Sequence, residues 1–422
     1  MTSIVDEPVL NCRACGSQVL RPILDLGYQA LSGRFPASGE PDPSTGCVGL
    51  VICEAGDKNK GCGLVQLSRS FAPSEMYGET YGYASAITAT MRSHLADIAG
   101  YVSGWARLRP GDAILDIGSN DGTLLSNFKN QDLLLTGIDP SAEQYRDRYV
   151  SEAALEVDFF STEAVKRVRP GVQFKAITSV AMLYDIEALS DFMTDVQSLL
   201  ANDGVWFTEQ SHAGAMFDQL CYDSICHEHV TYLTLKILMD LGKKVGLKAI
   251  DTRRNSVNGG SFSVLFAQDD SDYRPNSVAL NRLLDLENQM GLENTNTWAQ
   301  FCERVISHRE RFRNYILKAN ADGRMVLGYG ASTKGNVLLQ YCSITPDLMP
   351  AIAERDPRKF GCRTPGTNIP IVSEAKGRAM GPDIFVVFPW HFRDEIIRRE
   401  RSFLDGGGTL LFPLPEFTLV TG

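Results

Sequence analysis

From residue 112 onward, short apolar runs alternate with amphipathic stretches. DAILDIG (112–118) and LLLTGID (133–139) have strand length, and LLSNFK (124–129) between them reads as the start of a helix. KAITSVAML (175–183), GVWFTEQ (204–210) and GSFSVLFAQ (260–268) continue the series. Apolar runs of this length, separated by helical stretches, predict a parallel sheet with helices on both faces. ATMRSHLADIAGYVSGWARL (89–108) predicts a helix ahead of it, and residues 277–320 predict long bridging helices. The alternation restarts at 323 with RMVLGYG, VLLQYC, LMPAIAERD, DIFVVFPW and GGTLLFPL, a second open α/β unit. Residues 1–75 differ: Gly, Pro and Cys surround short β-like runs, CVGLVIC (47–53) and CGLVQL (62–67). A segment that short cannot bury a core unaided. The fold class expected is α/β in three parts. Residues 1–75 form a small module, 76–270 a central Rossmann-like domain, and 271–422 a helical bridge with a second Rossmann-like domain.

Charge narrows the partners. A net charge of −10 over 422 residues repels phosphate backbones and argues against nucleic-acid substrates. No window approaches 18 uninterrupted apolar residues, so no membrane span is expected. The first residues, MTSIVDEPVLNCRACG, lack the basic and apolar regions of a secretory signal, so a cytoplasmic location is expected. Ten cysteines then call for metal binding, catalysis or core filling rather than disulfides. Cys12-x-x-Cys15 is followed by Cys53 and Cys62, four thiolates able to close a tetrahedral zinc site. The second pair is separated by a polar, glycine-bearing insert, EAGDKNKG, which reads as a loop between ligands. Cys47 is a competing ligand, and a redox CxxC is the alternative. Four cysteines leave no open coordination position, so the zinc is expected to be structural.

The turn DAILDIGSNDG (112–122) ends a strand and is expected to open a helix, with Gly118 and Gly122 letting the backbone approach a ligand. Asp116 ends that strand. Asp139, followed by Pro140, ends the next one and suits two ribose hydroxyls. The spacing alone does not separate NAD from S-adenosylmethionine. The turn GSNDG lacks the GxGxxG fingerprint, which favours S-adenosylmethionine held by Ser119, Asn120 and Asp121. Asp158, near the end of a third strand, is a candidate for the adenine. In GYGASTKG (328–335), Gly328 and Gly330 are expected to permit close backbone approach, with Ser332, Thr333 and Lys334 addressing a diphosphate. It is not a Walker A loop. Trp390 and His391 end a strand on the ligand-binding face, as base-stacking or structural residues. Glu354 and Arg355 are further candidates for nucleotide contact. Cys226-His227-Glu228-His229 places two histidines two apart, which excludes the HExxH zinc pair. A histidine near its ordinary pKa suits proton abstraction at neutral pH. His94 reads as structural.

Taken in order, the paired cysteines with CGLVQL, MYGETYGYAS with the later His94, DIGSNDG, CHEH, NGGSF, GYGASTKG and FPWHF resemble the deoxysugar C-methyltransferases of antibiotic and surface-polysaccharide pathways. The nearest type is the C-3 methyltransferases of TDP-linked keto-deoxysugars. The resemblance covers nearly the whole chain. It implies a zinc-binding module, a central S-adenosylmethionine domain, and a C-terminal domain that holds the sugar nucleotide, TDP- or GDP-linked. It implies His229 as the base, Glu228 orienting the substrate or the imidazole, and a tyrosine, Tyr81 or Tyr83, at cofactor and substrate. Asn258 and Gly259 are expected at the sugar or the interdomain cleft, with Gly330, Ser332, Lys334 and Trp390 toward the nucleotide. Cys226 stands where family members often carry tyrosine, and Tyr184 where they often carry histidine; Tyr184 is expected to supply the phenol that Cys226 removes. O- or N-methylation of a nucleotide sugar is the alternative activity. Nothing in the sequence sets the oligomeric state.

Overall fold

The computed structural model describes residues 7–56, 59–72, 76, 85–128 and 132–422. The N-terminal part builds an antiparallel sheet from β1 (Leu20–Ala30), β2 (Thr45–Cys53) and β3 (Val65–Leu67). Its outer strand comes from far along the chain and is described below.

The central part begins with α1 (Ala89–Ala106), whose first turn is capped by Thr88 Oγ1 accepting the Met91 N–H. β4 (Ala113–Ile117), β5 (Leu134–Ile138) and β6 (Ala154–Glu156) follow, then α2 (Thr162–Val168), β7 (Phe174–Val180), α3 (Leu189–Leu199) and β8 (Leu200–Ser211). Next come β9 (Thr231–Tyr232), α4 (Leu235–Lys244), β10 (Leu247–Asn255) and β11 (Ser261–Gln268). β9 leaves this part to pair with β3, completing the N-terminal sheet in the order β9-β3-β2-β1. The central sheet runs β6-β5-β4-β7-β8-β11-β10. All five residues of β4 are buried, as expected of a strand covered on both faces.

Two expectations are corrected here. The sheet is mixed: β11 pairs antiparallel with β8, and β10 antiparallel with β11. A tight turn at residues 256–260 joins β10 to β11 directly, and a hairpin forces opposite strand directions. LLSNFK does not open an α-helix among the described residues; only Leu125–Asn127 form a single 3-10 turn. Leu124, Leu125 and Phe128 are all buried, so this stretch plugs the core rather than presenting a polar helical face.

The bridge is α5 (Ser277–Met290) and α6 (Thr295–Ala321). The C-terminal part holds β12 (Val326–Tyr329), α7 (Thr333–Tyr341), β13 (Ile352–Glu354), β14 (Ile371–Ser373), β15 (Ile384–Val387), β16 (Thr409–Phe412) and β17 (Thr418–Thr421). Its sheet runs β14-β13-β12-β15-β16-β17, parallel except at the last strand.

The cores explain how the parts hold together. Leu50 and Ile52 of β2 share one apolar cluster with Trp298 and Phe312 of α6 and with Phe385 of β15. Cys12, Cys53 and Leu64 instead join the cluster on the α3–α4 face of the central sheet. The N-terminal module is therefore wedged between the two larger parts, which supply the burial it cannot provide itself. Among the described residues no helix is long and apolar enough to cross a membrane.

Candidate active site

The four cysteines converge. Cys12 and Cys15 lie on a turn closed by the Gly16 N–H on the Cys12 carbonyl, 2.9 Å. Cys53 ends β2, and Cys62 faces it across the insert, which pairs residues 55–56 with 59–60 as a hairpin. The Cys12–Cys62 and Cys15–Cys53 sulfurs are each 3.5 Å apart, and all four lie within 4.8 Å of one another. Thiolates about 2.3 Å from one zinc sit roughly 3.8 Å apart at tetrahedral corners, so the set fits the ion. Thiol hydrogen bonds from Cys12 and Cys62 push Cys53 far below the ordinary thiol range, and sharing with Cys53 drives Cys12 up. A divalent cation resolves that competition by compensating every thiolate at once. Cys47 lies outside the cluster, with its sulfur 3.9 Å from Asp25 Oδ1.

At the C-terminal edge of the central sheet, β4 and β7 diverge to opposite sides, the switch point where such sheets bind ligands. Gly118 (φ +72°) turns the chain there, and its N–H donates to the Ile138 carbonyl. Asp139 Oδ2 accepts the Asn120 N–H at 2.9 Å, and Oδ1 accepts the Ser141 N–H and hydroxyl at 2.6 and 2.5 Å. Three protein donors thus organise this carboxylate, which braces the glycine turn. Pro140 continues the chain past this edge. Ser119 Oγ and the Tyr149 hydroxyl are 2.8 Å apart, and that hydroxyl also reaches the Asn120 carbonyl. A Cβ on Gly122 would lie 3.0 Å from the Tyr149 ring, so this glycine makes room for protein. Asp121 Oδ2 accepts the Ala86 N–H ahead of α1. Asp116 is fully enclosed: burial raises its pKa to about 7, against a 2.7 Å hydrogen bond from Thr178 Oγ1. Asp158 is half exposed and paired with Arg167.

The CHEH segment lies just before β9. His229 Nδ1 is 2.7 Å from the Ser224 carbonyl oxygen. A carbonyl can only accept, so Nδ1 carries the proton and Nε2 keeps its lone pair. Burial holds this imidazole below its ordinary pKa, opposed by the neighbouring Glu228 charge. Tyr184, at a 3-10 turn after β7, meets the His229 ring edge to face, 4.6 Å between centroids at 72°. Glu228 is buried with Oε2 lacking a hydrogen-bond partner, while a Cβ on Gly33 would lie 2.8 Å from Oε1. Cys226 is buried beside it, its thiol pushed up by burial and then by Glu228. Tyr77, Tyr81 and Tyr83 lie outside the described residues.

Residues expected near the substrate converge on the same side. Lys334 Nζ donates to the Asn258 carbonyl at 2.8 Å and lies 5.9 Å from the Trp390 ring. Trp390 Nε1 donates to Asp223 Oδ2 at 2.8 Å. A Cβ on Gly259 would lie 3.0 Å from Trp390. Asp223 is a site residue the sequence reading missed: it is buried, its pKa is raised by that burial, and Oδ1 is unpartnered. His391 is held neutral, down to about 3, by burial and then by Lys334.

The glycine loop behaves differently from expectation. A Cβ on Gly330 would lie 2.6 Å from Pro389, and one on Gly328 2.7 Å from Ile352. Both spaces are filled by protein, so these glycines serve close packing rather than ligand approach. Ser332 Oγ caps α7 by accepting the Gly335 N–H. Both oxygens of Glu354 accept backbone N–H groups, from Ala331, Arg355 and Asp356. Beside it, Arg355, Arg398 and Arg399 line a cavity of about 590 Å³ together with Glu395.

A second missed group sits at the end of β8. Glu209 is buried with one oxygen 2.6 Å from His94 Nε2 and the other accepting from Asn255 Nδ2 at 2.8 Å. Burial disfavours His94 protonation, but Glu209 outweighs it and the histidine's pKa is raised. The position of Glu209 at a strand's C-terminal end in GVWFTEQ was a usable signal.

Three family models match in order along the chain. Residues 12–77 match one described as "Putative zinc binding domain", 85–252 a methyltransferase domain, and 256–415 a C-methyltransferase C-terminal domain. C-methyltransferase NovU from Streptomyces niveus is 27% identical over 421 residues, covering 97% of this chain and 96% of that protein. Among solved structures, the 1,6-didemethyltoxoflavin-N1-methyltransferase of Burkholderia thailandensis aligns at 15% identity and TM-score 0.34, over 43% of this chain and 80% of that one. The N-methyltransferase NodS of Bradyrhizobium japonicum aligns at 13% and 0.34, over 44% and 90%. Those two alignments are too distant to bear on activity. The four-cysteine cluster, the central sheet and the near-full-length similarity to a C-methyltransferase agree, and together they support an S-adenosylmethionine-dependent C-methyltransferase similar to those with a zinc-binding module and a dedicated C-terminal domain.

Proposed function

We propose that the substrate is a nucleotide-linked keto-deoxysugar, TDP- or GDP-linked, methylated at a carbon next to its ketone. The observation that carries this reading is the fixed tautomer of His229. Its Nδ1–H is committed to Ser224 O, leaving Nε2 as a neutral base. A C–H beside a ketone is acidic enough for such a base, whereas a simple C–H is not. His229 Nε2 takes the proton, and the electron pair moves onto the ketone oxygen as an enolate. When bound, S-adenosylmethionine supplies a methyl group on a positive sulfonium, the electrophile for that carbon. The imidazolium then returns its proton to water. Glu228, buried one residue away, stabilises the imidazolium while it exists and orients the sugar. Tyr184 keeps the His229 ring in place and presents its hydroxyl to the reacting centre, with Tyr81 or Tyr83 as the further phenol.

Asp139, the 118–122 turn and Asp116 are the residues we assign to the cofactor, with Asp158 at the adenine. Asn258, Gly259, Lys334 and Trp390 are assigned to the sugar and diphosphate. The arginine-lined cavity beside Glu354 has the charge suited to the nucleotide end. Ser332 and Gly330 shape that end through α7. The reading is tested by incubating the protein with labelled S-adenosylmethionine and a panel of TDP- and GDP-linked 4-keto-6-deoxy sugars. A carbon-bound methyl, located by NMR, is the expected product. A methyl on oxygen or nitrogen refutes the enolate route.

A further inference from the structure

Arg13 lies between two zinc-ligand positions, in Cys12-Arg13-Ala14-Cys15. Its side chain is 3% exposed, and its polar contacts go to Glu187 and to residues 66–70. Nε and Nη2 fork onto the Glu187 carboxylate at 2.5 and 3.1 Å. Nη1 donates to the Leu67 carbonyl at 2.7 Å, and Nη2 also reaches Arg69 O and Ser70 Oγ. The Arg13 N–H donates to Gln66 Oε1 at 2.9 Å. One residue thus fastens the cysteine turn to β3 and to a segment of the central part 174 positions away.

That segment carries Tyr184. Glu187 follows it by three residues, across a turn closed by the Asp185 N–H on Met182 O. The Tyr184 carbonyl accepts from Thr231 Oγ1 at 3.3 Å. Thr231 is two residues past His229 and pairs with Gln66 on β3, while the Leu67 N–H donates to Val230 O at 2.9 Å. Both rings of the Tyr184–His229 contact are therefore hung from the same short strand. His229 is hung directly through β9, and Tyr184 through Arg13 and Glu187.

We propose that Arg13 is a positioning residue: held by the zinc turn, it grips Glu187 and so sets Tyr184 edge-on against His229. This rests on the reading of His229 as the base. It gives the cysteine turn itself, and not only β3, a task at the reacting centre. A planar guanidinium fork holds a carboxylate in one orientation, which a lysine ammonium does not. Misplacing a reacting group by about 1 Å costs on the order of 100-fold in rate.

The test uses Glu187→Gln and Arg13→Lys in the full chain. Each is assayed for kcat, for KM of S-adenosylmethionine, and for zinc content by mass spectrometry. Deuterium wash-in from solvent into a TDP-linked 4-keto-6-deoxy sugar, with S-adenosylmethionine withheld, is measured alongside. The expected result is a kcat and a wash-in rate both lowered about 10- to 100-fold. KM for S-adenosylmethionine should stay within about twofold and zinc at one per chain. Should one variant fail to fold, the other gives the same reading. Unchanged kcat and wash-in, or a loss confined to KM, overturns the proposal. His229→Asn run in parallel separates the two ideas. If it retains wash-in, the base assignment falls and this proposal with it. If it abolishes wash-in while the other variants match wild type, only the role of Arg13 falls.

Discussion

Replacing His229 with asparagine removes the proposed base while preserving its anchor. The Nδ1–H of His229 donates to Ser224 O at 2.7 Å, and an asparagine amide N–H can occupy the same place. The edge contact with Tyr184 is lost, but the backbone around Cys226 keeps its own bond, the His229 N–H on the Cys226 carbonyl at 3.2 Å. Loss of general-base catalysis is worth about 10²- to 10⁴-fold, or roughly 3–5 kcal/mol on the barrier. None of the contacts that organise residues 118–122 or Asp139 involves His229, so affinity for S-adenosylmethionine should move less than about threefold. The pH profile carries the sign. Burial lowers the His229 pKa, outweighing Glu228, so kcat/KM should rise as pH climbs through a value below the ordinary 6.5 and be level at neutrality. The asparagine variant should lose that limb. Single-turnover transfer from labelled cofactor, with isothermal titration of S-adenosylmethionine, measures both quantities. A variant within tenfold of wild type, or one that loses cofactor binding in parallel, would refute the reasoning.

Three further outcomes are expected. Asp116 has its pKa raised from 3.8 to about 7 by burial, so its contribution to stability is present below pH 3.8 and lost as pH rises through 7. Asp116→Asn should therefore outlast wild type in cofactor-free melts by a margin that grows between about pH 4 and 7, toward about 4 kcal/mol at most; a constant margin contradicts this. Cys53→Ser should release the zinc and lower the melting temperature, because Cys12 and Cys53 are also part of the central core; full zinc occupancy in the variant would exclude this ligand set. Gly330→Ala places a Cβ 2.6 Å from Pro389 at φ +82° and should cost about 1–3 kcal/mol in denaturant melts without substrate; an effect seen only in substrate KM would return the glycine to the ligand.

Most of what carried the fold was written locally. β4 and β12 announce buried strands because, Asp116 apart, the residue types in them suit that environment, whatever surrounds them. The four-cysteine set was legible because few ligand sets suit zinc, and the CHEH segment because two histidines beside a carboxylate are rare chemistry. Asp223 was missed because a single acidic residue in a loop carries no local mark of being buried, whereas Glu209 had only its strand-end position to mark it. Only the tertiary packing that encloses Asp223, with Trp390 and Lys334 brought against it, turns it into a carboxyl with a raised pKa and an unpartnered oxygen.

By itself, then, the sequence determined most of the strands and the long helices, the four-cysteine set, and the segments proposed here for cofactor and base, read mainly from neighbours a few positions apart. It could not decide which way β10 and β11 run, whether the glycines of the 328–335 loop face ligand or protein, or what Arg13 grips. Strand direction follows from a tight turn at residues 256–260, and Gly330 owes its need for a missing side chain to Pro389, 59 positions later. Arg13 and Glu187, 174 positions apart, meet only where the N-terminal module packs against the central part, beside the pairing of β9 with β3. Periodicity is a property of adjacent residues, whereas ion pairs and close packing belong to surfaces that exist only after the chain has closed on itself.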